Sequence, residues 1–152
     1  MELPRVVLIT DGSAYSTGSV GGWACILRFE LGGQIIDREL SGQIPFATNN
    51  QAELLAVING IEHLKRSCAV EVVSDSRYVV NGVNTWASQW EHKCWKTADH
   101  KPVKNASLWK HILELKKTHK VHATHVKGHN HHTDNERCDE LANEARLGNA
   151  NQ

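Results

Sequence analysis

Two hydrophobic rhythms alternate along this chain. Val6-Val7-Leu8-Ile9 is an unbroken apolar run that leads into Thr10-Asp11-Gly12-Ser13. Such a run, bounded by turn residues, predicts a strand buried on both faces. It is expected to end at Asp11, with Gly12 turning the chain away. Val70-Glu71-Val72-Val73-Ser74-Asp75-Ser76 repeats the arrangement. Between them, Trp23 to Phe29 reads as a strand, Leu31-Gly32-Gly33-Gln34 as a hairpin turn, and Ile35 to Leu40 as a more polar return strand closed off by Pro45. Short links make these first three strands antiparallel.

The period then changes to 3.6. Thr48-Asn49-Asn50-Gln51 has the form of a capping box. The helix it opens carries Leu54, Ile58, Ile61 and Leu64 on one stripe, with Glu53 in the second turn and off the stripe's centre. A capped helix followed by the Val70 strand makes a βα unit with parallel pairing. Ser76 to Gly82 predicts a short helix that Gly82 ends or bends. Another helix begins near Asn105 and runs through Leu108, Trp109, Ile112, Leu113 and Leu115 to Lys116-Lys117. Val121 to Val126 reads as a last strand. Thr133-Asp134-Asn135-Glu136 is a second capping pattern, opening a helix to about Leu147 that places Asp139 near its second turn, before Gly148 stops it. The fold class is α/β.

At 152 residues, with no repeat, low-complexity tract or linker, the chain is expected to form a single domain over 1–152. No apolar run approaches the roughly 20 residues of a membrane span. The first residues lack the basic and apolar regions of a signal peptide, so a cytoplasmic location is expected. Cys25, Cys68, Cys94 and Cys138 are well separated, which suits free thiols in a reducing compartment.

Charge changes the picture more. The net is zero, yet residues 1–91 balance at −4, residues 92–127 at +7 and residues 128–152 at −3. Carboxylates are what hard divalent metals need, and cations are what phosphates need. The basic segment interleaves Trp86, Trp90 and Trp95 with His92, Lys93, Lys96, Lys101 and Lys104. Aromatic rings among lysines suit contact with ribose and phosphate. Gly12 to Gly22 holds four glycines, allowing close backbone approach by a ligand, but it lacks the Gly-Lys-Ser/Thr of a P-loop. The histidines between 119 and 132 do not have zinc-finger spacing; His122 and His125 would face opposite sides of a strand.

Six motifs then occur in series: Thr10-Asp11-Gly12-Ser13, Thr48-Asn49-Asn50-Gln51-Ala52-Glu53-Leu54, Ser74-Asp75-Ser76, Trp95-Lys96-Thr97-Ala98-Asp99, Val126-Lys127-Gly128-His129, and Asn135-Glu136-Arg137-Cys138-Asp139-Glu140-Leu141-Ala142. In this order, over about residues 6 to 147, the chain closely resembles the type 1 ribonuclease H family of the bacterial freestanding kind. The resemblance implies a ribonuclease H-like fold: a mixed five-stranded sheet, three antiparallel strands then two parallel, with helices on both faces.

It further implies that Asp11, Glu53, Asp75 and Asp139 are metal-binding catalytic carboxylates, assisted by His129. Two Mg²⁺ ions are implied, with Mn²⁺ as the alternative ion. The implied substrate is an RNA–DNA hybrid, cut in its RNA strand by a monomer to leave 5′-phosphate and 3′-hydroxyl ends. Gly12, Ser13, Thr17, Asn49, Asn50 and Arg77 are implied readers of ribose 2′-hydroxyls. Thr48 and Asn105 remain for the DNA-phosphate pocket. Residues 86–104, with Trp86, Trp90, Trp95, Lys96, Lys101 and Lys104, resemble the family's basic handle that grips the DNA strand.

Three departures stand out. Ser16-Thr17-Gly18 replaces a frequent Asn-Pro step. Phe46 stands where an arginine is often found. His92-Lys93 replaces two strong cations. Two other readings stay open on the residues: a ribonuclease H domain from a reverse transcriptase, disfavoured by the start at Met1, and a non-catalytic hybrid-binding module, disfavoured by the presence of all four acids.

Overall fold

The computed structural model describes residues 2–15, 19–127 and 133–148. Its sheet has five strands: β1 (Arg5–Ala14), β2 (Ser19–Leu31), β3 (Gln34–Ala47), β4 (Ala69–Ser74) and β5 (Lys120–His125). Their order is β3-β2-β1-β4-β5. β1, β2 and β3 pair antiparallel, whereas β4 joins β1, and β5 joins β4, in parallel. This is the mixed sheet expected from the sequence.

Helices cover both faces. α1 (Asn49–Glu62) and α4 (Ala106–Thr118) lie on one, and α5 (Thr133–Arg146) on the other. Strand periodicity sorts the apolar residues between them. Leu8, Cys25, Leu27, Val70 and Val72 join Leu54, Val57, Ile58, Ile61, Trp109 and Ile112. Ile9, Ala24, Ile26 and Val73 join Cys138, Leu141 and Ala142. The continuous apolar runs are thus strands that feed two cores at once. α5 is also pinned at the rim. Arg28 reaches Asp37 at 2.8 Å and Asp134 at 2.6 Å, and Arg137 reaches Glu39 at 2.8 Å.

The α1 capping box is present as read. The Thr48 hydroxyl accepts from the Gln51 N–H at 3.1 Å, while the Gln51 side chain accepts from the Thr48 N–H at 2.9 Å. Gly32 and Gly33 both take positive φ, as the tight β2–β3 hairpin requires. Four boundaries differ from the sequence reading. β3 runs on through Pro45 to Ala47; it is an edge strand, where a missing N–H interrupts no ladder. β1 continues past Gly12, which pairs with Trp23, so the glycine does not turn the chain. β2 starts at Ser19, which shortens the glycine-rich loop. Thr133 is the first helical residue of α5 rather than its cap.

Gly82 does not end its helix. α2 (Arg77–Asn81) passes through a π-helical turn (Gly82–Trp86) into α3 (Ala87–His92). A Cβ at Gly82 would fall inside the buried indole of Trp109. The widened turn also points Asn84 at the edge of β5. There Asn84 Nδ2 donates to the Ala123 carbonyl, and Asn84 Oδ1 accepts the Ala123 N–H, both at 2.8 Å. One side chain thus replaces a missing neighbour strand. Asn84→Ala would leave both backbone groups without these partners and is expected to cost about 1–2 kcal/mol. Urea denaturation would read this as a lower midpoint at unchanged m-value.

Candidate active site

The sheet carries three acids to one place by different routes. Asp11 leaves β1 and Asp75 follows the last residue of the adjacent parallel strand β4. Glu53 comes from the second turn of α1, which packs against the β1 backbone. Their carboxylate oxygens lie within 4.8 Å of one another. Asp11 and Glu53 are buried, and Asp75 is half-buried.

Gly12 makes this possible. A Cβ there would sit 2.5 Å from the Glu53 backbone nitrogen and 2.6 Å from the Ala52 carbonyl carbon. Close approach of helix to strand, not backbone freedom, is what this position demands.

Asp139, on α5, is half-buried beside the cluster. Asp11 feels its charge, and Asn143 Nδ2 donates to its Oδ2 at 3.4 Å. It falls outside the three that meet within 4.8 Å. His129, and likewise Thr17, lie outside the described residues.

Burial and repulsion set the electrostatics. Burial, reinforced by the charges of Asp75 and Asp139, pushes Asp11 up to about 8. Burial, then the charges of Asp11 and Asp75, raises Glu53 well above its ordinary value. Among the described residues, the fully buried Glu53 Oε2 has no hydrogen-bond partner. A carboxylate oxygen buried without a partner is costly unless something cationic meets it. Three hard oxygen donors around such an atom suit a divalent cation.

The residues expected to touch a nucleic acid are spread around this site. Asn49 and Asn50 are the exposed first residues of α1, and Arg77 is the exposed first residue of α2. Thr48 is half-buried, its hydroxyl spent on the cap. The Ser13 hydroxyl is turned toward α5, donating to Asn143 Oδ1 at 2.5 Å and accepting from Arg146 Nε at 3.0 Å.

Phe46, 78% exposed, shares a cleft of about 450 Å³ with Asn105, Ala106, Ser107 and Leu108 at the start of α4. Asn105 adopts a left-handed backbone, and its Nδ2 donates to the Tyr78 hydroxyl at 3.1 Å. Trp109 Nε1 donates to the same hydroxyl at 2.9 Å. Tyr78, which the sequence reading passed over, is therefore the post that fixes Asn105.

In the protrusion, Lys96, Lys101 and Lys104 are exposed. Trp86 and Trp90 stack obliquely at 6.0 Å, and Trp90 meets the buried Trp109 at 5.8 Å. Trp95 packs under the Lys110 ammonium at 5.4 Å. The tryptophans thus tie the protrusion to the core and leave its lysines outward.

The family model for RNase H matches residues 4–146. The chain belongs to the ribonuclease H family. It is accordingly a nuclease of the hydrolase class, in a family that cleaves the RNA strand of RNA–DNA hybrids. It is 48% identical to a ribonuclease H of Bradyrhizobium sp. (strain ORS 278) over 141 residues, 93% of this chain and 89% of that one. Among solved structures, LC9-RNase H1, a type 1 RNase H with the type 2 active-site motif, superposes with a TM-score of 0.87 at 28% identity, covering 98% of this chain and 75% of that one. The foamy viral protease–reverse transcriptase in complex with RNA/DNA hybrid gives a TM-score of 0.78 at 25% identity, covering 95% of this chain and 20% of that one. The ribonuclease H family is generally metal-dependent, and the group of Asp11, Glu53 and Asp75 could hold a metal ion. Among the described residues, no helix is long and apolar enough to cross a membrane.

Proposed function

We propose that this chain forms a single endoribonuclease domain that binds an RNA–DNA hybrid as a monomer and hydrolyses the RNA strand by two-metal-ion catalysis, leaving 5′-phosphate and 3′-hydroxyl ends. The observation that carries the reading is the meeting of Asp11, Glu53 and Asp75, with a buried Glu53 oxygen that no described residue bonds. With Asp139 they would hold Mg²⁺, or Mn²⁺ in its place. When bound, the ions would relieve charge on the attacking and leaving oxygens and favour a water nucleophile near neutral pH.

The chain's own groups do the rest. Asp11, Glu53 and Asp75 are held by separate elements, so their spacing is set before substrate arrives and costs no reorganisation. His129 carries a proton to or from the reacting strand as product leaves. Gly12 to Thr17, Asn49, Asn50 and Arg77 recognise ribose 2′-hydroxyls, which separates RNA from DNA. Thr48 and Asn105 receive a DNA-strand phosphate. The lysines and tryptophans of residues 86–104 form the handle on that strand.

Cleavage of a 5′-labelled RNA strand tests this. Cutting is expected in an RNA–DNA hybrid with Mg²⁺, and not in single-stranded RNA, in an RNA duplex or with EDTA. Metal-independent cutting, or tight hybrid binding without cutting, would overturn it. Phe46 gives a finer check. An arginine at this exposed position would add a cation beside Asn105. Phe46→Arg is expected to lower KM a few-fold and steepen the salt dependence by about one counterion, ~0.9 in log–log slope. An unchanged KM and slope would remove the cleft from the phosphate-binding surface.

A further inference from the structure

Asp139, Asn143 and Arg146 are spaced i, i+4, i+7 and line one face of α5. That face lies over the end of β1 because β2 has a glycine beneath it. A Cβ at Gly22 would sit within 2.5 Å of the Arg146 backbone nitrogen and closer still to the Ala142 carbonyl oxygen. With the helix so close, Arg146 reaches across to the strand. Its Nε donates to the Ser13 hydroxyl at 3.0 Å, and its guanidinium carbon lies over the Tyr15 ring, 3.7 Å from the centroid. Tyr15 is otherwise 83% exposed.

A cation in the last turn of a helix is often explained by the helix dipole alone. That explanation needs neither the bond to Ser13 nor the stack on Tyr15. Both contacts instead fix the guanidinium in one orientation, at the start of an otherwise flexible side chain's reach. Among the described residues Arg146 makes no ion pair. Among the described residues only its Nε is hydrogen-bonded, which leaves the donors of the two terminal nitrogens unspent there. A planar guanidinium held this way matches the paired oxygens of a phosphodiester. Ser13 and Asp11 share a face of β1, two residues or roughly 7 Å apart. The guanidinium is thus a short step along a nucleic-acid backbone from the carboxylates.

We infer that Arg146, braced by Tyr15 and Ser13, is a binding site for a backbone phosphate of the cleaved strand next to the scissile one. Being fixed beforehand, the cation loses little side-chain freedom when the phosphate arrives. The inference rests on the hybrid-nuclease reading above.

Steady-state cleavage of a defined hybrid and equilibrium binding of the same fluorescent hybrid in EDTA, each across a salt series, test it with Arg146→Gln, Arg146→Lys and Tyr15→Ala. Arg146→Gln is expected to weaken binding about 5–10-fold and to raise KM by a similar factor, with kcat held. The slope of log affinity against log salt should fall by about 0.9. Arg146→Lys should restore the slope but only part of the affinity, because an ammonium cannot fork. Tyr15→Ala, at an exposed position, should weaken binding about 2–3-fold without lowering the melting temperature. An unchanged affinity and slope in Arg146→Gln overturns the inference. So does a fall in kcat with a shifted Mg²⁺ half-saturation, which would make Arg146 a positioning residue acting through Asn143 on Asp139. If the unsubstituted protein neither binds nor cuts the hybrid, it is the nuclease reading that falls.

Discussion

Asp11→Asn is expected to abolish hydrolysis, by at least about 1000-fold, while raising the melting temperature of the metal-free protein. The two effects share a cause. Asp11, Glu53 and Asp75 crowd their oxygens within 4.8 Å, and two of the three are buried. Without a cation, burial and mutual repulsion raise Asp11 to about 8 and Glu53 well above its usual value. A group whose pKa is higher folded than unfolded binds more protons in the native state. Stability from that group is therefore complete below about pH 4 and declines as pH climbs toward 8. Near pH 8 in EDTA, neutralising Asp11 should recover on the order of 2 kcal/mol, or about 4–8 °C for a chain of this size. Near pH 5 the gap between the two proteins should narrow, since Asp11 is then protonated.

A divalent ion should reverse the ranking. Bound only to the native state, it stabilises by mass action, by about 2.7 kcal/mol at a hundred times its dissociation constant. The unsubstituted protein should gain from Mg²⁺, and the asparagine variant far less. Thermal melts at two pH values, with and without Mg²⁺, are sufficient. A variant that melts lower in EDTA at pH 8 would show that the cluster is not under repulsion.

Much of this architecture is legible in the sequence because it depends on local patterns. The continuous apolar runs of β1 and β4 become strands between two cores, and Thr48 with Gln51 caps α1 as their spacing dictates. Glu53 is different. On a helical wheel it lies off the centre of the Leu54–Ile58–Ile61 stripe and resembles a solvated acid near a helix start. It is buried because α1 crosses the sheet at Gly12, a tertiary fact that no periodicity contains. Pro45 and Gly12 misled for a related reason. Each is usually punctuation, yet one sits on an edge strand and the other at a helix–strand contact.

Two further links could have been sought. The spacing of Asp139, Asn143 and Arg146 marks one face of α5, although nothing local says that Ser13 would meet it. Tyr78 gives no signal at all, since its role depends on two donors that arrive from residues 105 and 109. Elements are therefore readable where one segment decides them. The site becomes readable only where motifs in series stand in for the missing contacts.

Gly12→Ala should damage stability and hydrolysis together. The position has ordinary strand geometry and pairs with Trp23, so alanine costs nothing in backbone conformation. The added carbon would instead lie 2.5 Å from the Glu53 nitrogen, 2.6 Å from the Ala52 carbonyl carbon and 2.8 Å from the Ala52 Cβ. These are mostly backbone atoms, so relief requires the start of α1 to retreat from β1. That motion loosens the core that Leu54 and Val57 share with Leu8, which tolerates little slack. Overpacking of this kind costs about 1–3 kcal/mol, and here the upper end is expected, near 6–12 °C of melting temperature. The functional loss should exceed what instability explains. Glu53 moves with the helix, so its oxygens leave the group formed with Asp11 and Asp75. Hydrolysis well below the variant's melting temperature should fall at least about 100-fold, because displacement by about 1 Å at a catalytic group has that scale. Hybrid binding in EDTA should change much less. A variant that melts normally and cuts normally would mean that α1 can yield at Gly12 without moving Glu53, and that the close helix–strand contact is not what sets the spacing of the acids.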